Sequence, residues 1–291
     1  MILITTPTGH IGSKVLEKLI KTNEKLRVLA RDPWKLSSEV KSKSEIMQGS
    51  LDDSDFVSKA YDGAQSLFLV IPPTMNCTDV NEYYLNFAKV SCDAIRKQKI
   101  KRVVYISGTG LGKDKEAGPV YASSLVEELL HASGSATRIL HCGSFMENLL
   151  HSVQAIKFTN QFSTSVASEI KVPWVATEDI ADVAVSILCD KNWSGNESVG
   201  VLGPEDLSYN DLAKTMSEVL GRSIQYSAIS KETMKSTLMQ YGATDAAAHG
   251  LIGIYESMNN GNFNGVKRTP DSTSTTSFGK WCEQVLKPTL S

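Results

Sequence analysis

Met1-Ile2-Leu3-Ile4-Thr5-Thr6-Pro7-Thr8-Gly9-His10-Ile11-Gly12 opens the chain, and its reading decides the fold. An apolar run passes through a turn of small residues into a helical pattern. Gly9 and Gly12 stand at the spacing of a dinucleotide-binding corner. There one glycine lets the backbone approach a pyrophosphate and the other lets the helix pack closely on the strand. The helix start offers unpaired N–H groups and a positive dipole end to a phosphate. Thr6 stands where the first glycine of that pattern is expected, and Pro7 stiffens the turn and removes a donor. An ordinary strand-to-helix turn is the alternative. On the ligand reading the contacts come from Thr6, Thr8, Gly9, His10, Ile11 and Gly12.

Working outward, the next apolar run, Leu26–Ala30, ends in Arg31, with Lys35 close behind. An acidic side chain at this point, about twenty residues beyond the glycines, would bind the ribose hydroxyls of NAD. A guanidinium instead offers a planar donor fork to the 2′-phosphate of NADP. The expectation is NADP(H) over NAD(H), the alternative being a solvated Arg31 paired with Asp32.

The same rhythm continues. Met1–Thr5, Leu26–Ala30, Glu45–Gln48, Ser66–Ile71, Arg102–Ser107 and Ala136–His141 read as strands. Ile11–Ile20, Asp53–Ala60, Val80–Lys97 and Val120–Ala132 read as helices. Strands alternating with helices predict right-handed crossovers and an α/β, doubly wound parallel sheet. After residue 150 the rhythm changes. Ser152–Val172 is polar and irregular, while Val172–Val175 and Glu178–Leu188 read as a strand and helix returning to the main sheet. Ser208–Leu220, Lys231–Tyr241, Thr244–Met258 and Thr276–Leu286 read as helices, and Gly261–Thr276 as a surface loop. The expected division is a nucleotide-binding domain over 1–150, with 172–190 returning to it, and a smaller, mostly helical substrate lobe over 151–291.

Composition narrows the function. Thirty Lys and Arg against 32 Asp and Glu leave a net charge of -2 and no basic block for nucleic acid. No apolar run reaches the roughly 20 residues a bilayer demands. The five cysteines form no C-x-x-C pair, which argues against zinc or a disulfide framework and for a reducing cytoplasm. The five histidines show no metal-ligand spacing.

Thr8-Gly9-His10-Ile11-Gly12, Arg31-Asp32-Pro33-Trp34-Lys35, Gly49-Ser50-Leu51-Asp52, Leu69-Val70-Ile71-Pro72-Pro73 and Arg102-Val103-Val104-Tyr105-Ile106-Ser107 follow in order. Gly143-Ser144-Phe145-Met146-Glu147-Asn148-Leu149, Val172–Ala181 and Gly203-Pro204-Glu205 complete the series. With these pieces the sequence resembles the NmrA-like branch of the atypical short-chain dehydrogenases/reductases along nearly its whole length. The resemblance implies an NAD(P)-binding Rossmann domain with a small substrate lobe. It adds Ile71, Pro72, Cys142 and Phe145 to the coenzyme contacts. Cys142 stands where the family commonly has proline, and a buried inert thiol is its plainer reading. Members include quinone and iminium reductases as well as coenzyme-binding regulators, so kinship fixes the ligand better than the activity.

A typical short-chain reductase pairs Ser and Tyr with a Lys four residues after the Tyr. That Lys lowers the phenol from its ordinary pKa of about 10. Ser107 and Tyr121 match the first two, but position 125 is Leu. Iminium reduction yields a neutral amine, and quinone reduction a phenolate that solvent can protonate, so neither needs that acid. The expected function is NADPH-dependent reduction of a hydrophobic quinone, enone or iminium compound. The alternatives are an NADP(H)-binding sensor with a protein partner, or a non-redox cyclase or isomerase.

Overall fold

The computed structural model describes every residue except Leu111, Lys113 and Ser291. Its first half alternates as the pattern predicts. The strands are β1 (Ile2–Ile4), β2 (Leu26–Ala30), β3 (Glu45–Gln48), β4 (Ser66–Leu69), β5 (Arg102–Gly108) and β6 (Ala136–Cys142). Between them lie α1 (His10–Leu19), α2 (Ser38–Lys43), α3 (Ser54–Ala60), α4 (Val80–Gln98) and α5 (Pro119–His131). The second half contributes β7 (Ser144–Phe145), α6 (Val153–Thr159), β8 (Gln161–Thr164), β9 (Val172–Val175), α7 (Thr177–Cys189) and β10 (Asn196–Val201). It ends with β11 (Asp206–Leu207), α8 (Tyr209–Leu220), β12 (Gln225–Ala228), α9 (Lys231–Gln240), α10 (Asp245–Asn259), α11 (Phe278–Trp281), a π-helical stretch (Cys282–Leu286) and α12 (Lys287–Thr289).

The main sheet has seven strands in the order β3-β2-β1-β4-β5-β6-β10. Every neighbouring pair in it is parallel. This is a Rossmann-like α/β fold. Parallel strands covered on both faces alternate between two cores. Ile4, Val28, Val104 and Leu140 pack with α1 and α7, whereas Leu3, Val103, Tyr105 and Ile139 pack with α3, α4 and α5. In α1 the spacing of Ile11, Val15, Leu16 and Leu19 gives one apolar stripe, fully buried at Val15 and Leu19. Each such side chain contributes roughly 1.5–3 kcal/mol on burial. Lys18 pairs with Glu178 at 2.5 Å and Asp182 at 2.7 Å, joining the polar flanks of α1 and α7.

The chain winds outward from β1 to β3 and returns on the other side through β4. The switch point between β1 and β4 opens a crevice at the carboxyl ends of the strands, where ligands bind in such sheets.

The second half departs from expectation in two places. Val172–Val175 does not enter the main sheet: β9 pairs with β7 and β11 in a separate three-stranded sheet. Its backbone is wedged between two glycines. A β-carbon on Gly203 would stand 1.9 Å from the Trp174 carbonyl oxygen, and one on Gly143 2.6 Å from that of Pro173. Helix α7 does return to the sheet, and the strand that follows it, β10, pairs with β6 on the outer edge. The stretch Ser152–Val172 carries α6 and β8, and β8 pairs in parallel with β12. A third core lies in this lobe, with Tyr209 stacked on Tyr226 at 4.6 Å between centroids and met edge-on by Trp174. The five cysteines are free, and no disulfide forms.

Candidate functional site

The corner between β1 and α1 is shaped by backbone contacts. A β-carbon on Gly12 would meet the Thr6 carbonyl oxygen at 2.1 Å, so only glycine admits this close approach. Thr6 has φ +47°, the left-handed region that favours glycine. The position keeps the geometry of the missing glycine although the side chain has changed. Gly9 is the N-cap of α1, with no side-chain cap and no acidic residue in the first turn. Thr8, Gly9 and His10 are exposed at the crest, and Pro7 is buried beneath them. The helix start is therefore open to an anion.

The neighbouring loop is tied to this corner. The Thr5 hydroxyl donates to the Phe68 carbonyl at 3.0 Å and accepts the Val70 N–H at 2.9 Å. Ile71 is buried and Pro72 half-buried in the segment that follows β4. The Tyr83 hydroxyl donates to the Pro72 carbonyl at 3.0 Å, and burial pushes that phenol up despite the opposing charge of Arg31.

Arg31 lies exposed just beyond β2. Asp32 is taken by Lys35 at 2.9 Å, and the Lys35 ammonium stands 5.0 Å over the exposed Trp34 ring. Among the described residues the Arg31 guanidinium makes no hydrogen bond or ion pair, so its fork is available to a phosphate. The glycine corner and this guanidinium fit the anionic groups of a dinucleotide.

At the carboxyl end of β5, Ser107 is hydrogen-bonded to Glu127 rather than to Tyr121. Its hydroxyl donates to Glu127 Oε1, and Glu127 Oε2 meets His141 Nε2 at 3.0 Å. Tyr121 is half-buried in the first turn of α5, and its hydroxyl has no partner among the described residues. Leu125 occupies the lysine position and brings no ammonium. Sequence reasoning missed Glu127, and read His141 only as a histidine without metal-ligand spacing. The available signal was a carboxylate on the same face of α5 as the buried Ser123, Val126 and Leu130.

Cys142 is 2% exposed, its thiol donates to the Leu140 carbonyl at 3.5 Å, and burial pushes its pKa up. Such a thiol is inert. Phe145 is partly buried against the α1–α7 core. Glu147, from the Gly143–Leu149 segment, is 3% exposed and acts as a structural tie. Its carboxylate accepts the Thr177 N–H at 3.0 Å and the Trp281 Nε1–H at 3.1 Å, fastening the start of α7 to α11. Asp179 likewise accepts the Thr276 hydroxyl at 2.8 Å.

A helix of the second lobe closes the rim. Thr244, the N-cap of α10, donates its N–H to Met75 at 2.9 Å and its hydroxyl to the Cys77 carbonyl at 2.6 Å, both in the loop after β4. Gly253 of α10 lies so close to the loop before α5 that a β-carbon would stand 1.7 Å from the Glu116 carbonyl oxygen. Among the described residues no group of His, Cys, Asp and Glu could hold a metal ion, and no helix is long and apolar enough to cross a membrane.

The NmrA-like family model matches residues 1–281. The chain belongs to the NmrA-like family. An NAD(P)H azoreductase of Xenophilus azovorans is 28% identical over 258 residues, spanning 88% of this chain and 86% of that one. Among solved structures, a nucleoside-diphosphate-sugar epimerase from Staphylococcus aureus superposes with a TM-score of 0.84 at 15% identity, covering 97% of this chain and 99% of that one. The triphenylmethane reductase of Citrobacter sp., complexed with NADP(H), superposes at 0.80 with 18% identity, covering 98% and 99%. At these identities the two structures share the fold of this NmrA-like chain.

Proposed function

We propose that this NmrA-like protein is an NADPH-dependent reductase of a hydrophobic small molecule: a quinone, an enone or an iminium compound. The observation that carries this reading is the glycine corner at Thr6–Gly12, after β1, beside the Arg31 guanidinium at the end of the neighbouring strand β2, which is unpaired among the described residues. The azoreductase relative supports a nicotinamide coenzyme, and Arg31 supports its 2′-phosphorylated form.

The N–H groups at the start of α1 would hold the pyrophosphate, and Arg31 with Lys35 the 2′-phosphate. The coenzyme, when bound, supplies a hydride. The chain's own part is to position that donor and exclude water. The rim formed by α10 and the loops after β4 and β5 covers the carboxyl edge, and Ser107 and Tyr121 would face the substrate. With Leu125 in place of lysine, Tyr121 lacks the ammonium that assists proton delivery to an alkoxide, which disfavours simple ketones.

Calorimetric titration with NADPH, NADP+, NADH and NAD+, followed by NADPH absorbance with a panel of quinones, enones and cyclic imines, tests the reading. Selective binding of the phosphorylated pair and consumption with one panel class are expected. Tight NADPH binding with silence across the panel would replace catalysis by coenzyme sensing, and no binding would overturn both.

A further inference from the structure

We propose that Glu127, acting through Ser107, makes the floor of this site selective for positively charged substrates, a specificity that rests on the reductase reading of the same site. Ser107 and His141 are register partners near the carboxyl ends of β5 and β6, 6% and 7% exposed. Their side chains point to the α5 face, where Glu127 bridges them.

The order within this trio decides its chemistry. The imidazole touches the carboxylate and not the hydroxyl, so it is not arranged to take the Ser107 proton as in a nucleophile–base pair. An ionised carboxylate only accepts. The single hydroxyl hydrogen of Ser107 is thus committed to Glu127, and what Ser107 can show the cleft is lone pairs. The imidazole meets only the second carboxylate oxygen, at 3.0 Å, and leaves the Ser107 contact untouched. Leu125, where a lysine would offset the carboxylate charge, supplies none.

A quinone or ketone oxygen needs a donor and meets acceptors here. An iminium or pyridinium group meets lone pairs that the Glu127 carboxylate holds toward it, a contact that a low-dielectric setting strengthens. Glu127 is therefore a positioning residue that fixes the polarity of Ser107, and Ser107 is the group that meets the substrate.

The test compares 1-methylquinolinium with its uncharged isostere 1-methylnaphthalene. Affinities are read from quenching of tryptophan fluorescence with no coenzyme present. The unaltered protein should prefer the cation. Glu127→Gln keeps the shape but donates to Ser107, turning the hydroxyl hydrogen outward, and should reduce the cation-to-neutral affinity ratio about tenfold. Ser107→Ala should reduce the same ratio and serves if the first variant does not fold. A purely structural role would weaken both probes together and leave the ratio unchanged. That result, or equal affinity of the unaltered protein for the two probes, overturns the proposal. Because the ratio is read without coenzyme, failure of NADPH to bind would remove the reductase reading while leaving this measurement to stand or fall alone.

Discussion

The carbonyl oxygen of Thr6 lies 2.1 Å from where a β-carbon on Gly12 would stand, and Thr6 reaches that position only by adopting φ +47°. The first helix is thus seated on a left-handed threonine. The two residues form one corner, and each can be tested separately.

Gly12→Ala forces backbone against a new methyl group, and neither the strand end nor the helix start can yield cheaply. A loss of about 3 kcal/mol is expected by urea denaturation, at the upper end of overpacking effects. NADPH binding should be abolished in whatever remains folded.

Thr6→Gly should do the opposite. A left-handed β-branched residue carries roughly 1–2 kcal/mol of strain, and glycine's larger unfolded-state entropy cancels about half of that relief. A gain of about 0.5–1 kcal/mol is expected in the urea midpoint. The Thr6 hydroxyl loses little, since its contact with the Val70 carbonyl is a long 3.4 Å.

Arg31→Ala removes a planar fork that none of the described residues engages by a hydrogen bond or ion pair. NADPH and NADP+ affinity should fall by about two orders of magnitude, the scale of a charge-assisted phosphate contact, while NADH affinity moves less than about twofold. Equal affinity of the unaltered protein for NADP+ and NAD+ would remove Arg31 from the coenzyme site.

Tyr121→Phe should leave kcat within about twofold on a quinone or cyclic imine, because neither product needs a proton delivered to an alkoxide. General acids contribute about 10²–10⁴-fold. A fall of that size would therefore make the phenol the proton donor.

Glu147→Ala strips the partner from two buried donors, the Thr177 N–H and the Trp281 indole. At about 1–3 kcal/mol for each orphaned group, a loss of about 3 kcal/mol is expected in chemical denaturation. The segment from Thr276 onward should become the first site of limited proteolysis.

Much of the sheet was legible because β1 to β6 are short apolar runs set between amphipathic stretches. β10 was not. Its sequence, Asn196-Glu197-Ser198-Val199-Gly200-Val201, belongs to an outer strand whose first three residues are exposed, so no apolar run marks it. The Val172–Val175 run was read correctly as a strand but assigned to the wrong sheet, since its partners are set by close approach to Gly143 and Gly203 rather than by its own pattern. The glycine corner and Arg31 could be read locally because each lies within a few residues of its strand end. Glu127 could not, because its partners Ser107 and His141 lie 20 and 14 residues away and meet only across the packed sheet and helix. Glu147 was visible as part of the Gly143–Leu149 piece of the resemblance, yet its task depends on Trp281, 134 residues further on.

The placement of β10 outside β6 has a consequence for engineering. The polypeptide leaves the central layer after β6, crosses to the second lobe, returns through α7 and β10, and leaves again. Severing it near residue 150 would bare the flank of β6, an unpaired ladder inviting intermolecular strand addition. Exchanging lobes with a relative to alter substrate range would therefore have to splice two crossings at once, leaving 177–201 with the recipient scaffold.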